Sequence, residues 1–285
     1  MGSVQSRRWF LVPGVIFLLV IDMVPLVYSL WVSFYQWWLV RPRDIRFLGL
    51  GNYLSLAADP AFRRSILVTC TLTFGAVLAE FLAGLALALL FAQPFRFLRP
   101  LRAVIMMPLF VVPVVGATMW RLILHPEMGV LNYYLGLIGL GNPQWLADPT
   151  MAMCALILVD AWRTIPFMFL VMLAGLETLP AELFEAARVD GASWLQAFRF
   201  ITLPLLTYIM LVAVLIRGMD VFREFDIVFV LTGGGPGTAT ETMQMLNYRV
   251  FGLGHMGQAN AIGVVTLILV ALMCYLLIRV VQRSR

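Results

Sequence analysis

Apolar residues in this chain gather into long blocks, at roughly 9–35, 63–92, 101–124, 149–175, 201–231 and 258–281, with polar residues concentrated between them. A helix needs about 20 residues to cross a hydrocarbon core of about 30 Å, and each block is long enough. The pattern therefore predicts six transmembrane helices. It lacks the short alternating runs of a membrane β-barrel. The first block follows Arg7 and Arg8, as the core of a signal sequence does. It runs past the roughly 7–15 apolar residues of such a core and has no clear small-residue cleavage site, so it reads as an uncleaved first helix. Pro13, Pro25, Pro108, Pro113, Pro166 and Pro204 interrupt the blocks. Each frees a backbone carbonyl, so kinks are expected, although proline is common in membrane helices in any case.

Composition sharpens this picture. Hydrophobic residues make up 62% and charged residues 12% of the 285 positions, against roughly 45–50% and 25% in soluble domains. All 20 basic residues are arginine. Without lysine there is no Schiff-base chemistry and no P-loop ATPase, so the glycine cluster Gly233 to Gly237 reads as a turn rather than a phosphate cradle. Cys70, Cys154 and Cys274 each lie in an apolar block and read as buried, unpaired thiols. His125 and His255 fall in separate loops without ligand spacing, and no metal site is expected. There is no internal repeat, no low-complexity tract and no linker to a second domain.

Arginine also suggests an orientation, because basic loops tend to stay in the cytoplasm. With both termini inside, Arg7, Arg8, Arg96, Arg99, Arg102, Arg188, Arg199, Arg279, Arg283 and Arg285 are internal. Arg41, Arg43, Arg46, Arg63, Arg64 and Arg249 are external, and Arg121, Arg163, Arg217 and Arg223 fall within or at the ends of spans. The bias is moderate, and the first outer loop opposes it.

The segment between the fourth and fifth blocks, Glu177 to Pro204, is more than a spacer. After Pro180, residues 181–190 form a short amphipathic pattern, with Leu183, Phe184 and Ala187 on one side and Glu182, Glu185 and Arg188 on the other, closed by Gly191. A helix lying on lipid headgroups prefers a basic polar face, and this one is mostly acidic. Ala186, Ala187 and Gly191 leave the backbone open to close approach by another protein, flanked by Glu185 and Asp190.

Glu185-Ala186-Ala187, followed by Gly191, Ile201 and Leu203-Pro204, is similar to the EAA signature of permease subunits in binding-protein-dependent ABC importers. Phe47 to Tyr53 (FLGLGNY), Leu231 to Pro236 (LTGGGP), Trp145-Leu-Ala-Asp148 and Trp162 to Phe167 (WRTIPF) resemble the carbohydrate branch, the maltose-type permeases. The resemblance covers nearly the whole chain. It implies an all-α transmembrane fold, the six-helix type I ABC importer permease with a cytoplasmic coupling helix. Residues 1–285 would form one permease domain with a coupling loop at 176–200.

The resemblance also implies partners: a second homologous permease subunit, two ATPase subunits and an extracytoplasmic substrate-binding protein. ATP and Mg would be bound by the ATPases, leaving no cofactor and no catalytic residue in this chain. The setting implied is a bacterial or archaeal cytoplasmic membrane, with membrane lipid around the chain and no nucleic-acid partner. Glu185, Ala186, Ala187, Asp190 and Gly191 would couple to an ATPase.

Charges inside a span cost roughly 2.5–3.5 kcal/mol each on insertion scales and normally face protein or a water-filled cavity. On the fifth block Arg217, Asp220, Val221 and Glu224 fall on one helical face, and on the fourth Asp160, Arg163, Thr164 and Phe167 do the same. The two stripes suggest a lined substrate path. The resemblance implies that Asp160, Thr164, Phe167, Arg217, Asp220 and Glu224 face the transported carbohydrate or polyol. An ionic substrate also fits, and the same charges could instead neutralise each other as i,i+3 pairs. Arg223 and Asp226 are assigned to packing or subunit contact. Glu80 and Asp22, two further intramembrane acids, are expected to bond neighbouring helices or the partner permease. An alternative function is an ion-coupled secondary transporter using Glu80, Asp160 and Asp220 as proton carriers, and another is a scaffold without a transport pathway.

Overall fold

The computed structural model describes residues 3–41, 43–92, 98–139 and 141–283. Arg96 and Arg285, both counted above as internal, lie outside the described residues. The helices in chain order are α1 (Ser3–Ser33), α2 (Gly51–Ala58), α3 (Pro60–Phe91), α4 (Leu98–Met106), α5 (Pro113–Ile123), α6 (Val130–Leu137) and α7 (Pro149–Glu177). There follow α8 (Ala181–Val189), α9 (Trp194–Ala197), α10 (Leu203–Phe222), α11 (Asp226–Leu231), α12 (Met243–Gly252) and α13 (Met256–Arg283). A two-stranded antiparallel ribbon pairs β1 (Tyr35–Gln36) with β2 (Arg46–Phe47).

Among the described residues, five helical stretches are long and apolar enough to cross a membrane, and the number is six when the bent pair Leu98–Phe110 with Pro113–Ile123 counts as one span. This is a multi-pass, all-α membrane fold. Two of the expected spans are broken. The third bends by 99° between Leu98–Phe110 and Pro113–Ile123. Pro108 lies in a single 3-10 turn, and Pro113 opens α5. A residue before proline is driven out of the helical region, and Val112 accordingly sits at ψ 134°. The fifth block, expected as 201–231, ends at Phe222 and resumes as α11 after a non-helical link. Ahead of α10, residues Phe198–Thr202 form a π-helical turn that continues α9 into the span.

The chain divides into two compact units, Met1–Arg64 with Leu246–Leu269, and Ser65–Met245 with Val270–Arg285. In the first, Asn52 is buried and donates from Nδ2 to the carbonyls of Ser33 (2.8 Å) and Tyr35 (2.9 Å), while the Tyr53 hydroxyl lies 2.6 Å from Ser33 Oγ. These bonds tie the end of the FLGLGNY motif to the end of α1. Ser29 donates to Asn260 Oδ1 at 2.6 Å, joining α1 to α13.

The second unit holds the main core, built around α7. Val159, Met168, Phe169 and Met172 of α7 pack with Leu72 and Phe91 of α3, Ala213 and Val221 of α10, and Ile227, Val228 and Leu231 of α11. α3 and α7 approach closely at Gly84 of α3. A Cβ there would stand 2.5 Å from Met168 Cβ and 3.0 Å from the backbone carbonyl carbon of Met168 and nitrogen of Phe169. Only glycine fits this contact. All three cysteines are free, but Cys70 and Cys154 are exposed and Cys274 is half-buried, against the expectation of burial. In a membrane protein an apolar side chain needs no protein cover, because the surrounding solvent is itself apolar.

Candidate functional site

Glu80 is completely buried on α3, one helical turn before Gly84. The close approach at Gly84 brings its carboxylate to the α7 and α10 side of the core. Arg217 of α10, 5% exposed, forks onto it: Nε donates to Oε2 at 2.7 Å and Nη2 to Oε1 at 2.9 Å. The same Nη2 lies 3.0 Å from Asp160 Oδ2 and 3.2 Å from Thr164 Oγ1, both on α7. The Thr164 hydroxyl in turn donates a hydrogen bond to the Asp160 backbone carbonyl at 2.6 Å. One guanidinium thus ties three helices together through two carboxylates. A two-bond fork of this kind is among the strongest polar contacts a low-dielectric interior holds.

From this buried centre the charges continue outward with looser geometry. Arg163 Nη2 stands 3.4 Å from Asp160 Oδ1 and 4.0 Å from Glu224 Oε2, and the buried Nε of Arg163 has no hydrogen-bond partner among the described residues. Glu224 lies beyond the end of α10, where its Oε1 accepts the Ile227 amide at 3.0 Å and so caps the first turn of α11. Asp220 is 51% exposed, 3.8 Å from Arg217 Nη1 and 3.6 Å from Arg223 Nη2.

The eight residues expected along a substrate path therefore fall into two groups. Asp160, Thr164, Arg217 and Val221 are enclosed by helix packing. Arg163, Phe167 and Glu224 are half-buried, and Asp220 is exposed. The expected stripe on the fifth helix is corrected in one respect, since Glu224 is not helical. The i,i+3 pairing weighed for Arg217 and Asp220 is the longest of Arg217's ion pairs, and its main partner is Glu80, 137 positions away. Periodicity within one helix cannot show such a partner. The available signal was the single acid of the second block, Glu80, and the arginine nearest the middle of the fifth, Arg217. Asp22, the other intramembrane acid singled out, is exposed on α1.

The segment after α7 forms the expected short helix. Pro180 precedes α8, and Gly191 closes it with φ at +75°. The Ala192 amide reaches the Ala187 carbonyl (2.9 Å) and the Gly191 amide reaches that of Arg188 (3.1 Å), the paired bonds of a left-handed helix stop. Ser193 and Gln196 then cap α9 reciprocally. Glu185, Ala186, Asp190 and Gly191 are exposed and Ala187 is half-buried. A Cβ on Gly191 would meet nothing within 4 Å, so this glycine serves the backbone turn and not local packing. Farther along, Gly233, Gly234 and Gly237 all take positive φ in the turn after α11, as a glycine cluster in a turn should.

A membrane-spanning helical chain with a short, exposed, well-stopped helix between the long helices α7 and α10 has clear counterparts among known proteins. Residues 81–284 match the family described as binding-protein-dependent transport system inner membrane component, and the chain belongs to that family. It is 36% identical over 260 residues to the trehalose/maltose transport system permease protein MalF of Thermococcus litoralis, covering 91% of this chain and 88% of that one. It is 34% identical over 256 residues to the sulfoquinovosyl glycerol transport system permease protein SmoG of Agrobacterium fabrum, covering 90% and 83%. The trehalose transport system permease protein SugA of Mycobacterium tuberculosis is 32% identical over 283 residues, covering 98% and 90%. Among solved structures, a bacterial ABC transporter for import of the acidic polysaccharide alginate superposes with a TM-score of 0.84, at 23% identity, over 98% of this chain and 96% of that chain. The fold is that of type I ABC importer permeases. The family match lends no support to the ion-coupled alternative.

Proposed function

We propose that this chain forms half of the translocation path of an ATP-driven importer for a carbohydrate or related polyol. The observation that carries this reading is near-full-length similarity, at 32–36% identity, to permeases named for trehalose, maltose and sulfoquinovosyl glycerol transport. The chain acts as one permease domain over 1–285, paired with a second homologous permease. Two cytoplasmic ATPases bind and hydrolyse ATP with Mg, and an external binding protein delivers the substrate. The alginate importer has been solved with its periplasmic protein bound, which supports the last of these partners. The setting is a bacterial or archaeal cytoplasmic membrane with both termini inside.

Coupling falls to the loop 176–200. Closure of the ATPases displaces α8 through Glu185, Ala186, Ala187, Asp190 and Gly191, and α7 and α10, on either side of it, carry that displacement into the membrane. The exposure of α8 and its rigid stop at Gly191 support this role. Along the path, Asp220, Glu224, Arg163 and Phe167 offer accessible surface. Carboxylates accept pairs of hydroxyl hydrogen bonds, Arg163 donates, and Phe167 stacks on a ring's apolar face. Asp160, Thr164, Arg217 and Val221 form the wall behind them. Reconstitution with the ATPases, second permease and binding protein tests the reading. ATP hydrolysis stimulated by the loaded binding protein, with uptake of a neutral saccharide, supports it, and saccharide uptake by the isolated chain without ATP contradicts it.

A further inference from the structure

Two cavities of about 320 Å³ and 250 Å³ lie in the first compact unit, and Gln36 and Trp38 belong to the walls of both. The larger reaches the size at which small-molecule sites begin, about 300 Å³. Its wall adds Trp37, Asn52, His255 and Gln258 and contains no carboxylate and no guanidinium. The smaller is completed by Arg41, Asp44 and Arg46. Both lie beyond the C-terminal end of α1, and the larger reaches the first turn of α13 at Gly257 and Gln258, the outer side on the proposed orientation.

Several features make this more than a gap between loops. The imidazole of His255 stacks on one side of Trp38, with ring centroids 4.6 Å apart and planes 21° apart. The backbones of Trp38 and His255 form a β-bridge, and Leu39 donates to the Gly254 carbonyl at 2.8 Å, so the indole is held at both backbone and ring. Even so, Trp38 keeps 38% of its surface exposed. His255 Nδ1 lies 3.2 Å from Gln258 Oε1, which orients that amide. Asn52 spends its NH₂ on the Ser33 and Tyr35 carbonyls and so fixes the floor. The buried Trp37 indole N–H has no hydrogen-bond partner among the described residues. A fixed aromatic face ringed by amides, with an arginine-rich annex, is chemistry suited to a neutral hydroxylated ring: apolar C–H groups against the indole, hydroxyls to amide and guanidinium.

We propose that these two cavities, which share Gln36 and Trp38 as a common wall, are an outer saccharide subsite, in which a neutral sugar ring stacks on Trp38 and hydrogen-bonds Gln36 and Gln258. This rests on the carbohydrate reading above. It adds a place where substrate is held outside the membrane path, on this chain alone.

The test is saturation-transfer NMR on the full chain in lipid nanodiscs, titrated with maltose, trehalose and cellobiose in turn. The expected result is a saturable signal from at least one of the three. Trp38→Ala should weaken it roughly tenfold, the loss of one stacking face, whereas Trp38→Phe should retain most of it. No saturable signal from any of the three overturns the subsite, as does an equal signal from Trp38→Ala. If Trp38→Ala leaves sugar binding unchanged but weakens docking of the binding protein, the pocket is a protein contact and the proposal fails. ATP-driven uptake by the assembled importer is scored separately. Uptake without Trp38-dependent binding sinks the subsite alone, and binding without uptake of any saccharide sinks the transport reading alone.

Discussion

Arg217 and Glu80 meet through two nitrogens and two oxygens, at 2.7 Å and 2.9 Å, across the boundary between α10 and α3. With Asp160 3.0 Å away on α7, the guanidinium is the cation that bridges a carboxylate on each of the other two helices. Removing one member of a buried ion pair leaves the other charge unmatched, at a cost of about 3–5 kcal/mol. Arg217→Ala, which leaves the Glu80 carboxylate without its cation, should therefore lower the thermal stability of the purified chain sharply, and Glu80→Ala, which leaves Arg217 paired with Asp160, should lower it less. The double variant should be less damaged than the sum of the two. Additive losses in a thermal-melt cycle would show that the pair is not coupled.

Gly84 sets the distance that lets this pair form. Because its absent Cβ would meet the Met168 and Phe169 backbone, which cannot rotate away, Gly84→Ala should push α3 from α7 and cost about 1–3 kcal/mol. Gly116 offers the comparison, since a Cβ there meets only side chains at 3.4 Å and 3.5 Å. Gly116→Ala should be close to neutral in the same melts. Equal effects of the two substitutions would remove the packing argument.

Asp220 separates structure from transport. It is half exposed, and its ion pairs are long, so Asp220→Asn should change stability by no more than about 0.5 kcal/mol. Uptake by the reconstituted importer should fall several-fold if this side chain lines the path. Normal uptake by the folded variant would exclude Asp220 from it.

The stop at Gly191 should matter for motion more than for folding. At φ +75° a Cβ is strained, which costs about 1 kcal/mol, but there is no neighbour for it to strike. Gly191→Ala should leave assembly of the complex intact and reduce the stimulation of ATP hydrolysis by loaded binding protein. A variant that assembles and is stimulated normally would show that the stop is not needed for coupling.

Much of this molecule was legible in its sequence because membrane insertion and helix stops are local. The apolar blocks located the spans, Pro180 and Gly191 bounded α8 to within a residue, and Pro113 marked the break that became a 99° bend. What periodicity missed was tertiary. The Glu80 and Arg217 fork joins positions 137 apart, and nothing in either helix names the other. The break after Phe222 was hidden as well, because residues 223–225 carry no proline or glycine. There the carboxylate of Glu224 turns to cap α11, and a residue read as part of a helical face becomes a helix start.

The central claim is that α8 transmits ATPase motion to the spans. Its most direct measurement is ATP hydrolysis and saccharide uptake by the complete reconstituted importer carrying Glu185→Arg, with assembly verified by co-purification. The account requires a complex that still assembles in the membrane while both stimulated hydrolysis and uptake collapse. Full stimulation and uptake with the reversed charge in place would contradict it.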